Sequence, residues 1–256
     1  MLDGFDIESY PFSIPAIADL DNMEFHEDVT FFVGENGSGK STALEAIALL
    51  LGFSAQGGTK NVQIDDAGGS SGLHQFLKAK KSHAHPKDGY FLRAESFYNL
   101  ATYMDEVGYL SSYGGKSLHQ QSHGESFMAT IVNKFRGKGI YLLDEPEAAL
   151  SPSRQLAALV RIHDLVQDGS QFIIATHSPI LLAYPSSKIF VFDETGVRED
   201  KYENLEHFSV TRDFLNNYKR RLDLMLDDWS LGGSCQILSG QYVFSPLTLP
   251  PVGVSM

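Results

Sequence analysis

The chain has 256 residues, 43% of them hydrophobic, and a formal net charge of −12; that is enough apolar material for one large domain, and an acidic balance that argues against non-specific coating of nucleic acid or anionic membrane. Its single cysteine, Cys235, excludes an internal disulfide and fits a reducing compartment. There is no apolar run of about 18 residues to span a membrane, and the opening MLDGFDIESYPF lacks a signal peptide's basic start and apolar core, so a cytoplasmic protein without membrane insertion is expected.

DVTFFVG (28–34) is a short apolar run ending in glycine and predicts a buried strand. STALEAIALLLG (41–52) predicts a helix with an apolar stripe, closed by Gly52. Residues 54–72, rich in Gly, Ser and Gln, predict a loop-rich insertion, and KAKKSHAHPK (78–87) is the most basic patch. GYFLRAESF (89–97) predicts a strand and FYNLATYMDEV (97–107) a helix. After the soft stretch GYLSSYGGKS (108–117) comes HQQSHGESFMATIVNKF (119–135), a polar turn running into an amphipathic helix. GIYLLDE (139–145) and QFIIATH (171–177) predict strands flanking a helix over roughly 153–167. KIFVFDE (188–194) predicts a further strand, turned by Gly196. Residues 208–226 predict a helix, with apolar positions at Val210, Phe214, Leu215, Tyr218, Leu222, Met225 and Leu226. From about 232 the chain is uncharged and rich in Gly, Pro and Ser, a flexible tail that is either natural or a cloning remnant. Strands alternating with helices predict an α/β fold with a largely parallel sheet and flanking helices. The expected division is a domain over 1–231, with a lid or helical lobe at about 54–128, and a tail over 232–256. No internal repeat is present.

GENGSGKS, Gly34 to Ser41, matches G-x-x-x-x-G-K-[ST] in full and lies between a predicted strand and a predicted helix. In that setting the backbone N–H groups of Asn36, Gly37, Ser38 and Gly39 can curl around a phosphate at a helix N-terminus. Lys40 supplies a mobile positive charge for the β- and γ-phosphates of a nucleotide. The Ser41 hydroxyl suits Mg²⁺, and Thr42 is placed for the α-phosphate. Asp144 and Glu145 close the strand IYLLDE, at the sheet edge where ligands of parallel sheets bind. Strand alternation separates them: Asp144 for the magnesium shell, Glu145 as general base on the attacking water. His177 ends the next apolar strand and can donate a hydrogen bond to the γ-phosphate. Ser122 and Glu125 by themselves read as the N-cap and partner of a capping box.

Taken in order, these stretches resemble the ATP-binding-cassette ATPase superfamily. GENGSGKS is similar to its Walker A motif, and QSHGE to its Leu-Ser-Gly-Gly-Gln signature at Ser122 and Gly124. YLLDEP is similar to Walker B with the catalytic glutamate, AALSP to the D-loop, and ATHSP to the switch histidine. The resemblance covers roughly residues 10–228. It implies a P-loop NTPase core of mixed, largely parallel sheet plus a helical signature lobe. It also implies an ATP- and Mg²⁺-dependent homodimer, two copies paired head to tail so that Ser122, Gly124 and Glu125 of one face the γ-phosphate held by the other. Hydrolysis then acts as a dimer switch on a protein partner. The chain departs from the signature at Gln121, His123 and Glu125.

DEPEAALSP, with Glu147 and Ser151-Pro152, looks like the soluble repair, chromosome-maintenance and overcoming-lysogenization-defect group rather than transporter cassettes. The nearest resemblance is to a stand-alone bacterial ATPase family with the same YPFSIPAI, FLRAESF and TRDFLNN segments, linked in outline to partner-dependent systems, some of them antiviral; it implies a partner-driving role in nucleic-acid transactions or phage defence as an expectation. The alternative is a transporter's nucleotide-binding subunit; a small-molecule kinase and a nucleotide-gated binding module are further readings. RAESF carries Glu95 where many cassettes have a glutamine. Tyr10 and Phe12 lie where cassettes stack an aromatic on adenine, though core packing is the reading preferred for them. His74, His83, His85, His119 and His123 lack a metal-ligand spacing. Lys78, Lys80, Lys81, His83, His85 and Lys87 form either a solvated loop or a contact for nucleic acid or an acidic partner.

Overall fold

The computed structural model describes residues 8–62, 70–80, 86–97, 102 and 122–232. Most of the predicted 97–107 helix, much of the lobe, Lys81, His83, His85, His119 and the tail with Cys235 lie outside the described residues.

Two compact units divide the chain, residues 1–212 and 213–256. The first is built on a six-stranded sheet. Its strands are β1 (Val29–Gly34), β2 (Asp88–Arg93), β3 (Gly139–Asp144), β4 (Gln171–Ala175), β5 (Lys188–Asp193) and β6 (Gly196–Asp200). Their order is β2-β3-β4-β1-β5-β6, all parallel except the β5–β6 pair. Every residue of β1 and β3 is buried, which is why both read as unbroken apolar runs. Alternation divides their side chains between two cores. Phe31, Tyr141 and Leu143 join one face with α3 (His123–Lys134) and α4 (Pro152–Gln167); Phe32, Ile140 and Leu142 join the other with α1 (Pro15–Ala18) and α2 (Lys40–Leu50). A buried side chain of this size contributes about 1.5–3 kcal/mol of transfer free energy.

Two elements go beyond the sequence expectation. α1 is a four-residue turn opened by Pro15. β6 is a charged strand (GVRED) that exists because Gly196, at φ 126°, folds the chain back onto β5. It forms the outer edge, where charge blunts further pairing.

The last helix, α5 (Glu206–Gly232), has non-helical backbone at Asn217. Within the second unit Asp213 accepts from Asn217 and Arg221, while Leu215, Tyr218, Leu224, Met225 and Leu226 are exposed. Among the described residues no helix is long and apolar enough to cross a membrane.

Candidate functional site

The registers of the sheet decide where the site lies. Asp144 pairs with Ala175 across β3–β4 and with Arg93 across β2–β3, while Phe32 on β1 pairs with Ala175. The carboxyl ends of β1, β3 and β4 therefore finish side by side, and the loop from Gly34 to Gly39 leaves that edge to start α2. Gly39 is the N-cap, at φ 97°, and no side chain caps the helix. A Cβ at Gly39 would lie 2.9 Å from the Ile17 side chain, so the turn requires glycine twice over. An uncapped helix N-terminus presents free N–H groups to an anion.

Lys40 is 3% exposed, and its Nζ donates to the carbonyls of Gly34 and Glu35 at 2.8 Å each. Burial lowers its pKa, against the pull of nearby carboxylates led by Glu145 and Asp144. The loop borders a cavity of about 500 Å³ whose lining includes Tyr10, Asn36, Gly37, Lys40, Thr42 and Glu145. Tyr10 corrects the core reading. It is 62% exposed at the cavity rim, and its hydroxyl lies 3.3 Å from the Thr42 hydroxyl oxygen. Phe12 keeps to the core, edge-on to Phe76 at 5.5 Å between ring centroids.

Ser41 Oγ donates to Asp144 Oδ1 at 2.8 Å. Burial pushes the Asp144 carboxyl up to about 6, while Arg93, whose Nε is 3.2 Å from Oδ2, pulls it down. Arg93 also reaches Glu45 of α2 at 2.8 Å. Glu145 turns away from the strand in left-handed backbone (φ 49°, ψ 51°), a conformation that costs a non-glycine residue about 1–2 kcal/mol, and its N–H is tied to Ala175 O at 2.9 Å. That turn sends Glu145 to the cavity wall and leaves Asp144 beneath Ser41. Glu147 braces the neighbouring strand end: its carboxylate accepts from Thr176 Oγ1 at 2.7 Å and from the His177 backbone N–H. Burial raises the Glu147 pKa. His177 Nε2 lies 3.8 Å from Glu145 Oε1. Its own pKa is lowered, by burial first and by Lys40 second.

The structure thus brings Lys40, Ser41, Asp144, Glu145 and His177 into one neighbourhood. A serine hydroxyl bonded to a buried carboxylate is a hard-oxygen pair suited to Mg²⁺, which takes one or two such protein ligands and completes its shell with phosphate and water.

Ser122, Gly124 and Glu125 form a separate patch at the start of α3. The capping box is complete: Ser122 Oγ accepts from the Glu125 N–H, and Glu125 Oε2 accepts from the Ser122 N–H. Glu125 also meets Arg154 at 3.2 Å. The first of these contacts, the Ser122 N–H, does most to hold the Glu125 carboxyl below its ordinary pKa. Gly124 has α4 against it: a Cβ there would sit 2.4 Å from an Arg154 nitrogen and 2.7 Å from Ala149 O. His123, where the signature has glycine, is the first residue of α3.

Three residues at the site escape the sequence reading. Arg93 is a basic residue ending an apolar strand, a signal visible in FLRAESF; the side chain of Glu95 is 89% exposed and lies 3.7 Å from Arg93. Glu147 stands out in the sequence only through the resemblance, and its bracing of the neighbouring strand end carries no local signal. His207, at the start of α5, had no local signal. In the basic patch, Lys78, Lys80 and Lys87 are exposed.

Residues 9–94 match a family model described as an AAA domain, and residues 117–183 match one described as an AAA domain, putative AbiEii toxin, Type IV TA system. The putative ABC transporter ATP-binding protein of Methanothermobacter thermautotrophicus is 25% identical over 236 residues, covering 80% of this chain and 82% of its own. The ABC transporter G family member STR2 of Medicago truncatula is 24% identical over 217 residues and 69% of this chain, which spans only 29% of that protein's length. Among solved structures, cbiO1 of Clostridium perfringens, part of the ABC transporter complex cbiONQ, is 19% identical and covers 82% of this chain and 89% of its own, with a TM-score of 0.41. The phosphate loop, the two domain models and the relatives point the same way: the chain is similar to ATPases of the AAA and ABC type, over residues 9–94 and 117–183 in the domain models and over most of its length in the archaeal relative.

Proposed function

We propose that this chain is a Mg²⁺-dependent ATP hydrolase, two copies of which close head to tail around two ATPs and open when the γ-phosphate is lost. The observation that carries this reading is the convergence at one sheet edge. An uncapped helix start, the Ser41–Asp144 hydrogen bond, and Glu145 facing His177 at 3.8 Å all meet there. The backbone from Asn36 to Gly39 cradles the phosphates, Lys40 exchanges its loop carbonyls for phosphate oxygens, and Thr42 serves the α-phosphate. Tyr10, exposed at the rim, is the surface on which the adenine stacks. Mg²⁺ held by Ser41 and Asp144 would neutralise charge on the β- and γ-phosphates. Glu145 accepts the proton of the attacking water, and His177 donates to the γ-phosphate as charge builds. The partner copy's Ser122 hydroxyl and α3 N-terminus, with Gly124 and Glu125, complete the pocket.

Glu145→Gln removes the base but keeps the shape. That variant is expected to lose hydrolysis at least about a hundredfold and to elute as a dimer on size-exclusion chromatography with saturating ATP. A variant that stays monomeric under those conditions rejects the switch.

Both relatives are ABC transporter proteins by name, which favours a second reading, the nucleotide-binding subunit of a transporter. Against it stand DEPEAALSP and the lack of a glutamine in RAESF. The partner-driving reading places the chain in the cell's soluble fraction, with turnover that responds to DNA, RNA or a protein. Retention on salt-washed membranes from the native host would favour the transporter instead.

A further inference from the structure

Resting on the hydrolase reading, a second histidine acquires a task. His207 lies in the first turn of α5, within the first compact unit. Its Nε2 is 3.3 Å from Nδ1 of His177, and the two rings sit 5.5 Å apart at 43°. The backbone of His177 is already held by Glu147. The opposite ring nitrogen of His177, Nε2, is buried, has no hydrogen-bond partner among the described residues, and faces the Glu145 carboxylate.

A hydrogen bond between two neutral imidazoles admits two arrangements. If His177 Nδ1 carries the proton and donates to His207, the Nε2 of His177 is a bare lone pair. It would then point at a carboxylate, and it could give nothing to a phosphate oxygen. If His207 Nε2–H donates instead, the proton of His177 sits on Nε2. That N–H is then attracted by Glu145 and is the donor that the γ-phosphate requires. Burial, followed by Lys40, holds both histidines below the ordinary imidazole range, so the neutral pair persists at neutral pH. The other charges acting on the pair are Glu35, Glu145 and Glu206, all anionic.

We infer that His207 is a positioning residue: by donating to His177 Nδ1 it fixes the Nε2–H tautomer of His177 and aims that proton at the reacting phosphate. Hydrogen-bonded partners set the tautomer of metal-ligating histidines in the same manner. The arrangement also ties the first turn of α5 to the γ-phosphate donor.

The test compares wild type, His207→Ala and His207→Gln in the full chain, with His177→Gln used to assign the signal. A glutamine amide can replace the ring N–H as donor to Nδ1; alanine cannot. Two quantities are read: the ¹⁵N shifts of the His177 ring nitrogens near pH 8, and steady-state kcat and KM for ATP with Mg²⁺. Wild type should show Nε2 protonated and Nδ1 unprotonated. His207→Ala should show mixed tautomers, with kcat about tenfold lower and KM little changed. His207→Gln should restore the tautomer and most of kcat. A wild-type His177 protonated on Nδ1 overturns the inference, as does unchanged kcat in His207→Ala, with or without a tautomer shift. If alanine prevents folding, a His207→Gln chain that folds but lacks the Nε2–H tautomer is equally decisive. Wild type without turnover would reject the hydrolase reading and leave the ¹⁵N result intact.

Discussion

Asp144 is 5% exposed, and the Ser41 hydroxyl and the Arg93 guanidinium offset only part of what burial does to it. Its carboxyl is raised to about 6, above its ordinary value of 3.8. The linkage follows directly. Below both values the folded and unfolded chains hold the proton alike. Between them the unfolded chain has released it and the folded chain has not, so stability falls as pH rises. Above about 6 the penalty is complete, at most about 3 kcal/mol. Asp144→Asn has no such proton. Without nucleotide, its stability in urea should therefore gain on wild type as pH rises from 4.5 to 6.5, then keep that lead. Parallel curves over this range would mean that Arg93 already cancels the burial. Addition of Mg-ATP should narrow that lead, stabilising wild type more than the variant, which keeps the phosphate loop and loses one magnesium ligand. A site that weakens its own fold in this way is legible only in part from sequence. Asp144 announces itself at the end of an apolar run. Arg93 comes to it through the β2–β3 register, a pairing of residues 51 positions apart by SEQ numbering that no local pattern encodes.

The start of α3 is held by a local cap, and the proposed function asks a second task of the same residues. Its Ser122 hydroxyl caps the helix, and Glu125 closes the box. Loss of a serine N-cap costs about 1 kcal/mol, whereas asparagine caps as well as serine. Ser122→Ala should therefore unfold at lower urea concentration than wild type, and Ser122→Asn should not. If the hydroxyl also meets a phosphate across the dimer, both variants should lose turnover. Asparagine with wild-type turnover would reduce Ser122 to a cap. The capping box could be read ahead of the structure because it is local: two residues three apart, before an apolar period. β1, β3 and β4 were legible for a different reason, since strands covered on both faces are apolar throughout. β6 was not, because a charged five-residue strand owes its existence to the β5 edge and to the Gly196 turn. His207 was missed on the same ground. Its meaning comes from a contact 30 residues away.

At the scale of the whole molecule, the phosphate loop and the α3 patch of one chain are separate surfaces. Lys40, Ser41 and Asp144 are linked at the sheet edge, whereas Ser122, Gly124 and Glu125 are packed against Ala149 and Arg154. The head-to-tail reading requires each pocket to take one surface from either copy, and that requirement has a quantitative consequence. Lys40→Ala kills every pocket built on its own loop, and Gly124→Asp blocks every pocket closed by its own α3. Each variant alone should be inactive. In an equal mixture of the two, half the dimers are mixed, and each mixed dimer holds one pocket with both defects and one with neither. Hydrolysis should therefore return to about a quarter of the wild-type rate if the two pockets fire independently, and to less if they must fire together, as two-fold symmetry allows. The control is each variant mixed with itself, and the recovery should depend on total protein concentration because it depends on exchange of partners. Mixtures that remain dead, while each variant still binds wild type as judged by size-exclusion chromatography, would show coupled pockets. Recovery from a single variant alone would place the whole site within one copy and remove the reason for a dimer.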